Sequence, residues 1–215
     1  MNTISIHCAT TKQPPKEPWD YGEDFQNYFR DVVDMRYKLM PYIYAQSKIA
    51  AEKGLPMVRA LFIEFPNDKG SWSVDNEYMF GSDILVAPLF EEGTKQRSVY
   101  LPQGQWIDYQ TNKVYSSGWK TIDAGKIEAI ILVRDGAIIP HIKKAQSTKD
   151  LDWTNIDLVA FSANGSPAKG KICLPTDQKI FDISVSKKGK VLSLDQDPTG
   201  NKVKYVVKSF AEYIR

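Results

Sequence analysis

"DNEYMFGSDILVAPLFEEG", residues 75–93, contains the point at which this 215-residue sequence changes its pattern. Ahead of "FGSD" at 80–83, the strongest periodic signal is helical. After it come short β-rich runs such as "ILVAPLF", "RSVYLP" and "IDLVAFS", separated by turn signals such as "PQGQ", "RDG" and "ANGS". Several short strands at this spacing predict antiparallel sandwich modules.

A polar, lysine-rich segment, "HIKKAQSTKDLD" at 141–152, interrupts the β-rich half of the sequence. We therefore expect three units. The first, residues 1–83, contains the helical signal, and the other two are β units at 84–143 and 144–215.

Residues 23–53 carry the strongest helical periodicity, with mostly apolar side chains at helical spacing and charges between them. Gly54 stands where a left-handed helix stop belongs. Pro41 falls inside the pattern, where it removes a backbone donor and clashes with the carbonyl of Tyr37. The pattern therefore predicts either a kink at Pro41 or two abutting helices.

The next segment, "LPMVRALFIEFP" at 55–66, is apolar on both faces of an extended chain. This pattern is typical of a parallel strand that is covered on both sides, and a helix followed by such a strand is one step of an α/β fold. Arg59 and Glu64 interrupt the run. We expect them to pair, in a structural role, because an unpaired buried charge is very costly.

The composition is that of an ordinary soluble globular protein, with 42% hydrophobic and 25% charged residues. The net charge of +2 and the scattered lysines give no electrostatic case for nucleic acid or an anionic membrane as a partner. No apolar run approaches the ~20 residues that span a bilayer. The N-terminal residues lack the pattern of a signal peptide, so a cytoplasmic location is the default expectation.

We expect neither a metal site nor a cofactor. Cys8 and Cys173 lie far apart and form no zinc spacing or disulfide framework. "LDQDPTGN" at 194–201 resembles the start of a calcium loop, but Val206 stands where the late bidentate Glu is required. We interpret this segment as a β-hairpin turn.

Two pairs of acidic residues are candidates for catalytic groups: Asp75 with Glu77, and Glu91 with Glu92. Near neighbours in a loop seldom converge on one site, so we interpret all four as surface charge. His141 has no partner in the sequence, and we expect it to be exposed.

Four tryptophans could form a platform on which sugars stack. Aromatic residues at this frequency belong more often to a sandwich core, and we favour that interpretation for Trp72, Trp106, Trp119 and Trp153.

Five segments of this sequence, in this order, resemble one known family. "RYKLMPYIY" (36–44), "RALFIEFP" (59–66) and "DNEYMFGSDILVAPLFEEG" (75–93) resemble the end of the catalytic barrel in family 31 glycoside hydrolases, which are retaining α-glucosidases and α-xylosidases. "RSVYLPQGQWIDYQTNKVY" (97–115) and "ILVRDGAIIP" (131–140) resemble the proximal C-terminal β-sandwich of that family. The resemblance implies an α+β fold in which the last helix and strand of a (β/α)8 barrel precede two antiparallel β-sandwich domains.

The resemblance also implies one substrate-binding residue, His7. A histidine at this place in the family hydrogen-bonds hydroxyls of the sugar in the −1 subsite. Here Ser5 and Cys8 stand where the family has Arg and Gly beside that histidine. The alternative is that His7 is an N-terminal histidine outside any subsite.

Retaining hydrolysis requires a nucleophile and an acid/base, two carboxyl groups about 5–5.5 Å apart. The resemblance places both on earlier barrel strands, so we expect no catalytic residue in this chain. We expect the C-terminal part of a retaining α-glycosidase, inactive in isolation, whose partner is an α-glucoside or α-xyloside once the barrel is completed. The alternative is a non-catalytic β-sandwich module that binds carbohydrate, self-associates, or complements the missing N-terminal barrel segment.

Overall fold

The computed structural model describes residues 17–165, 167–188 and 191–214, and His7 lies outside this part of the chain. The described chain is mostly β, with two six-stranded sheets and a small helical part. Its α-helices are α1 (Glu23–Lys38), α2 (Met40–Lys53), α3 (Leu61–Glu64) and α4 (Phe210–Tyr213). Its 3₁₀ turns are Pro18–Tyr21, Lys69–Ser73 and Thr148–Asp150.

The predicted helix at 23–53 is confirmed in its two-helix form. α1 ends at Lys38, and the N–H of Leu39 donates to the carbonyl of Met35. Pro41 lies in the first turn of α2, where its missing N–H interrupts no helical hydrogen bond. Gly54 closes α2 in the left-handed conformation (φ 67°), as the sequence predicts.

The predicted parallel strand at 55–66 is wrong. Only Val58–Arg59 forms a strand (β1), and it pairs antiparallel with β2 (Tyr78–Phe80). The chain then turns into α3, which buries Leu61 and leaves Phe62 partly exposed. A short apolar run does not distinguish a strand from a helical turn, and no parallel neighbour is present among the described residues to hold this one extended.

The first sheet is antiparallel and has the order β1-β2-β3-β6-β4-β5. Its remaining strands are β3 (Ile84–Pro88), β4 (Gln96–Asp108), β5 (Val114–Asp123) and β6 (Ala129–Arg134). β1 and β2 therefore join the β-rich half of the molecule as its outer strands, although the sequence assigned both to the helical unit.

The second sheet has the order β11-β10-β9-β7-β8-β12. Its strands are β7 (Ala137–Ile142), β8 (Asn155–Phe161), β9 (Ala168–Cys173), β10 (Ile180–Lys188), β11 (Val191–Leu194) and β12 (Lys204–Ser209). β12 runs parallel to β8, and β7 runs parallel to β9. The prediction of purely antiparallel β units is therefore wrong for this sheet, because the connection after β11 brings β12 beside β8 in the same direction.

One hydrophobic core joins the helices to both sheets. The turn at Asp135–Gly136 carries the chain from β6 in the first sheet to β7 in the second. The buried side chains on either side of this junction belong to one cluster that includes Met35, Tyr42, Ile84, Val133, Val159, Phe161 and Phe210. Each sheet also has a separate core on its other face, with Trp106 in the first sheet and Ile172 in the second.

Candidate functional site

An open cavity of about 650 Å³ lies against strands β4 and β5 of the first sheet. One wall is the loop 64–69, which begins at the last residue of α3. The other wall comes from residues of β4 and β5: Tyr100, Leu101, Gln103, Ser117 and Gly118. The cavity thus brings together two segments that are distant in sequence.

Tyr100 fixes the loop in place. Its hydroxyl donates to Asp68 Oδ1 (2.6 Å), and the same oxygen accepts from the N–H of Gly70 (3.0 Å). The hydrogen bond to Asp68 raises the pKa of Tyr100 to about 12, so the phenol stays a donor at neutral pH. A Cβ at Gly70 would overlap the Tyr100 hydroxyl, so the loop approaches β4 this closely only with glycine at position 70.

Glu64, at one end of the cavity, is held by two arginines. Arg59 Nη2 lies 2.6 Å from Glu64 Oε2, and Arg134 Nη2 lies 3.2 Å from Oε1. Arg134 also donates to the carbonyl of Ser82, and its guanidinium lies over the ring of Phe65. The predicted pairing of Arg59 with Glu64 is therefore confirmed.

These contacts determine what the cavity can do chemically. Its two acidic side chains, Glu64 and Asp68, are already acceptors for arginine and tyrosine donors. Within residues 17–165, 167–188 and 191–214, no group of three His, Cys, Asp or Glu side chains is placed to hold a metal ion. The arrangement suits a polar, uncharged ligand better than acid–base or metal chemistry.

Glu77 is buried and only 3% exposed, so its interpretation as surface charge is wrong. Its Oε1 accepts from the N–H of Tyr100 (2.9 Å), and Arg97 Nη2 lies 3.8 Å away. Oε2 has no hydrogen-bond partner in the described part of the chain. Burial raises the pKa of Glu77 to about 7, against the opposing effects of the Tyr100 N–H and Arg97.

A signal for this burial is present in the sequence. Glu77 precedes the buried Met79 by two residues, so β alternation places both on the inner face. Asp75, Glu91 and Glu92 are exposed, as expected.

His141 is 1% exposed, so the expectation that it faces solvent is also wrong. It lies on β7, every residue of which is buried. Its Nδ1 contacts the carbonyl of Ile139 (2.8 Å) and its Nε2 contacts the hydroxyl of Tyr109 (2.6 Å). A neutral imidazole satisfies both contacts by donating from Nδ1 and accepting at Nε2. Burial lowers the pKa of His141 to about 4.

The four tryptophans divide between core and surface. Trp106 is fully buried, and Trp153 is partly buried with its edge against Tyr44 (5.7 Å between ring centroids). Trp72 and Trp119 are 61% and 58% exposed, so the core interpretation is wrong for these two.

Both exposed tryptophans are held in place beside the cavity. Trp119 is the cross-strand partner of Tyr100, with ring centroids 5.4 Å apart. The indole N–H of Trp72 donates to the carbonyl of Pro66, a residue of the cavity wall, and its ring stacks on Phe62. The sequence does not predict that both indoles contact residues of the cavity wall, because the two come from separate elements.

The segment 194–201 is a turn but not a hairpin. Asp197 accepts from the N–H groups of Thr199 and Asn201 and so closes the turn itself. The strands on either side, β11 and β12, lie at opposite edges of the second sheet. The two edge strands nevertheless contact each other, so the segment links the two neighbouring edges of a curled sheet.

Comparison with known protein families identifies two matching stretches. The family 31 TIM-barrel domain of glycosyl hydrolases matches residues 2–46, and the family 31 C-terminal domain matches residues 54–139. This chain belongs to glycosyl hydrolase family 31. The barrel match ends inside α2, and β1 already lies within the C-terminal domain match.

Curated family 31 relatives are much longer than this chain. Alpha-glucosidase 2 of Bacillus thermoamyloliquefaciens is 30% identical over 165 residues, which are 75% of this chain and 20% of the relative. An alpha-xylosidase of Emericella nidulans is 31% identical over 202 residues, 89% of this chain and 25% of the relative. The family 31 chain thus spans about a fifth to a quarter of these relatives.

Solved structures also match this chain over only a part of their own length. The family 31 dextranase of Flavobacterium johnsoniae, complexed with glucose, matches with a TM-score of 0.69 and 28% identity, over 80% of this chain and 22% of that one. The cycloalternan-forming enzyme of Listeria monocytogenes, in complex with a pentasaccharide substrate, matches with a TM-score of 0.72 and 26% identity, over 83% of this chain and 18% of that one. Within the described residues, no helix combines the length and hydropathy needed to cross a membrane.

Proposed function

We propose that this family 31 chain is the C-terminal part of a retaining α-glycosidase and does not hydrolyse glycosides by itself. The observation that carries the proposal is the ordered match to the family's barrel and C-terminal domains, at 2–46 and 54–139. Relatives named alpha-glucosidase and alpha-xylosidase support an α-glucoside or α-xyloside as the substrate class.

The chemistry supports inactivity in isolation. Retaining hydrolysis uses one carboxylate as nucleophile and one carboxyl group as acid/base, about 5–5.5 Å apart. Glu64 and Asp68 line the 650 Å³ cavity, but both are acceptors in the hydrogen bonds that hold its walls. In this proposal the nucleophile and the acid/base come from residues other than these.

The experiment is hydrolysis of aryl α-glucosides and aryl α-xylosides. The purified chain is expected to give no turnover above buffer. Co-expression with the upstream barrel segment of a family 31 relative is expected to restore it. Turnover by the purified chain alone would overturn the proposal.

We also propose that His7 binds substrate once the barrel is completed. There it would hydrogen-bond hydroxyls of the bound sugar. In the co-expressed assembly, His7→Ala is expected to lower kcat/KM at least tenfold, roughly the effect of losing one or two hydrogen bonds to substrate. Unchanged kinetics would place His7 outside the subsite.

A second candidate is a non-catalytic module that associates with another chain. Exposed apolar side chains on the helical part and on β1 favour it: Trp19, Tyr21, Phe25, Val58 and Ile63. β1 also forms the outer edge of the first sheet, where an added strand could pair. Light scattering decides, since a stable monomer that binds neither sugar nor a barrel segment argues against this module, and a dimer supports it.

A further inference from the structure

We infer that the cavity between the loop 64–69 and strands β4 and β5 is a binding site for a neutral glycan, with Trp119 and Trp72 as its stacking surfaces. Binding here does not require that the chain hydrolyse anything. Only the choice of α-linked probes below rests on the proposed function.

The cavity has the size and polarity of a small-molecule site. Its volume of about 650 Å³ lies within the usual range for ligand pockets. Besides Tyr100, three uncharged polar side chains line it, Asn67, Gln103 and Ser117. The structure gives none of the three side chains a hydrogen bond to another described residue, so their amide and hydroxyl groups are available to a ligand.

Trp119 and Trp72 supply the apolar part of the site. Trp119 follows Ser117 and Gly118 on β5, and its cross-strand partner Tyr100 lines the cavity. An exposed indole packed against a fixed neighbour presents a flat face at little cost in conformational entropy. Trp72 is fixed in the same way by its hydrogen bond to Pro66.

This combination matches a pyranose better than an anion or a hydrocarbon. A pyranose ring has apolar C–H faces and a rim of hydroxyls, which suit indole faces and uncharged polar groups respectively. Glu64 is paired with Arg59 and Arg134, and Lys69, the cation of the lining, has no ion pair with another described residue. One lysine makes a poor site for phosphate.

The test is a titration of the full chain with maltotriose, isomaltotriose and isoprimeverose (α-linked xylosylglucose), followed by NMR of the backbone and indole N–H groups. We expect saturable binding of at least one probe, with a dissociation constant on the order of 1 mM, as befits an open site. The indole signals of Trp119 and Trp72 should shift. Trp119→Ala should weaken binding roughly fivefold, the loss of one aromatic contact.

The matched control is Trp19→Ala, because Trp19 is 66% exposed and lies outside the cavity. It should leave the dissociation constant unchanged. Asn67→Ala provides a second variant, in a surface loop, and should weaken binding roughly threefold through one lost hydrogen bond. A melting curve for each variant verifies that it is folded.

Absence of saturable binding for all three probes would overturn the inference, as would equal losses in Trp119→Ala and Trp19→Ala. Hydrolysis assayed on the same samples separates the two proposals. Turnover by the chain alone contradicts the proposed function and leaves the binding result standing.

Discussion

Glu77 and His141 are buried ionisable side chains whose pKa values are displaced in opposite directions. Burial raises the pKa of Glu77 to about 7 and lowers that of His141 to about 4. In both cases the displacement favours the uncharged form, because neither side chain has a fully compensating charge beside it. Their effects on stability therefore overlap in pH and have opposite signs.

The first prediction concerns Glu77→Gln. Since the pKa of Glu77 is raised from 4.5 to about 7, its contribution to stability is complete below pH 4.5 and is lost as the pH rises to about 7. The loss amounts to about 3 kcal/mol. Glutamine stays uncharged, so the variant should gain about that much relative to the original chain between acidic and neutral pH. Urea unfolding across this range measures the difference, and an unchanged pH dependence in the variant would contradict the prediction.

The second prediction concerns His141→Gln. The pKa of His141 is lowered from 6.5 to about 4, so its contribution is complete above pH 6.5 and is lost as the pH falls through that window. The original chain should lose about 3 kcal/mol more than the variant on acidification. The difference in unfolding free energy above pH 6.5 gives the packing cost alone, and a difference independent of pH would contradict the prediction.

The turn between β2 and β3 connects helix α2 to the first sheet. Tyr42 of α2 donates its hydroxyl to the carbonyl of Phe80 and accepts from the N–H of Asp83. Gly81, between them, has φ +70° and donates its N–H to the carbonyl of Met57. A Cβ at Gly81 would overlap the Tyr42 hydroxyl, so the position needs glycine for its conformation and for its space.

The third prediction compares Gly81→Ala with Gly54→Ala. Both glycines have positive φ, but a Cβ at Gly54 would meet nothing within 4 Å. Gly54→Ala should therefore cost only the conformational strain, about 1 kcal/mol. Gly81→Ala adds overpacking, for a total of about 3 kcal/mol. Chemical denaturation measures both free energies of unfolding. Equal losses of stability would show that the Tyr42 side chain moves aside at no cost.

The sequence predicts correctly those elements whose ends are set by residues within or next to the element itself. Pro41 and Gly54 delimit α2 through their own backbone chemistry, so both were evident from the sequence. The segment 55–66 was mispredicted because its conformation depends on its neighbours, and β2 offers it only a short antiparallel edge. The burial of His141 and the exposure of Trp119 were mispredicted for the same reason. The arrangement of the sheets, which the local sequence does not show, decides which side chains are covered. The cavity was unpredictable because its walls are brought together only by tertiary packing.

At the scale of the whole molecule, an aromatic cluster ties the two sheets together. Tyr109, directly after β4, stacks with Phe161 at the end of β8 (5.9 Å between centroids). Phe161 in turn stacks on Phe210 of α4 (4.3 Å). Together with the continuous core, this packing indicates that the sheets stabilise each other. The two sheets therefore depend on each other, although the chain passes from one to the other at Asp135–Gly136.

The fourth prediction is that Phe161→Ala destabilises both sheets in one transition. Removing a fully buried phenylalanine should cost about 3–5 kcal/mol. Amide signals of Leu85 in the first sheet and Ile172 in the second should disappear at the same, lowered urea midpoint. Val206→Ala, at an exposed position of β12, is the control and should change little. Two separate midpoints would show that the sheets unfold independently.

The position of β12 constrains the order of events on the ribosome. β8 is translated long before residues 204–209, yet its outer edge is covered only by that late strand. A nascent chain halted earlier would present an unpaired backbone edge, a surface open to chaperones or to aggregation. The time taken to translate residues 162–209 is therefore the time for which this edge needs protection.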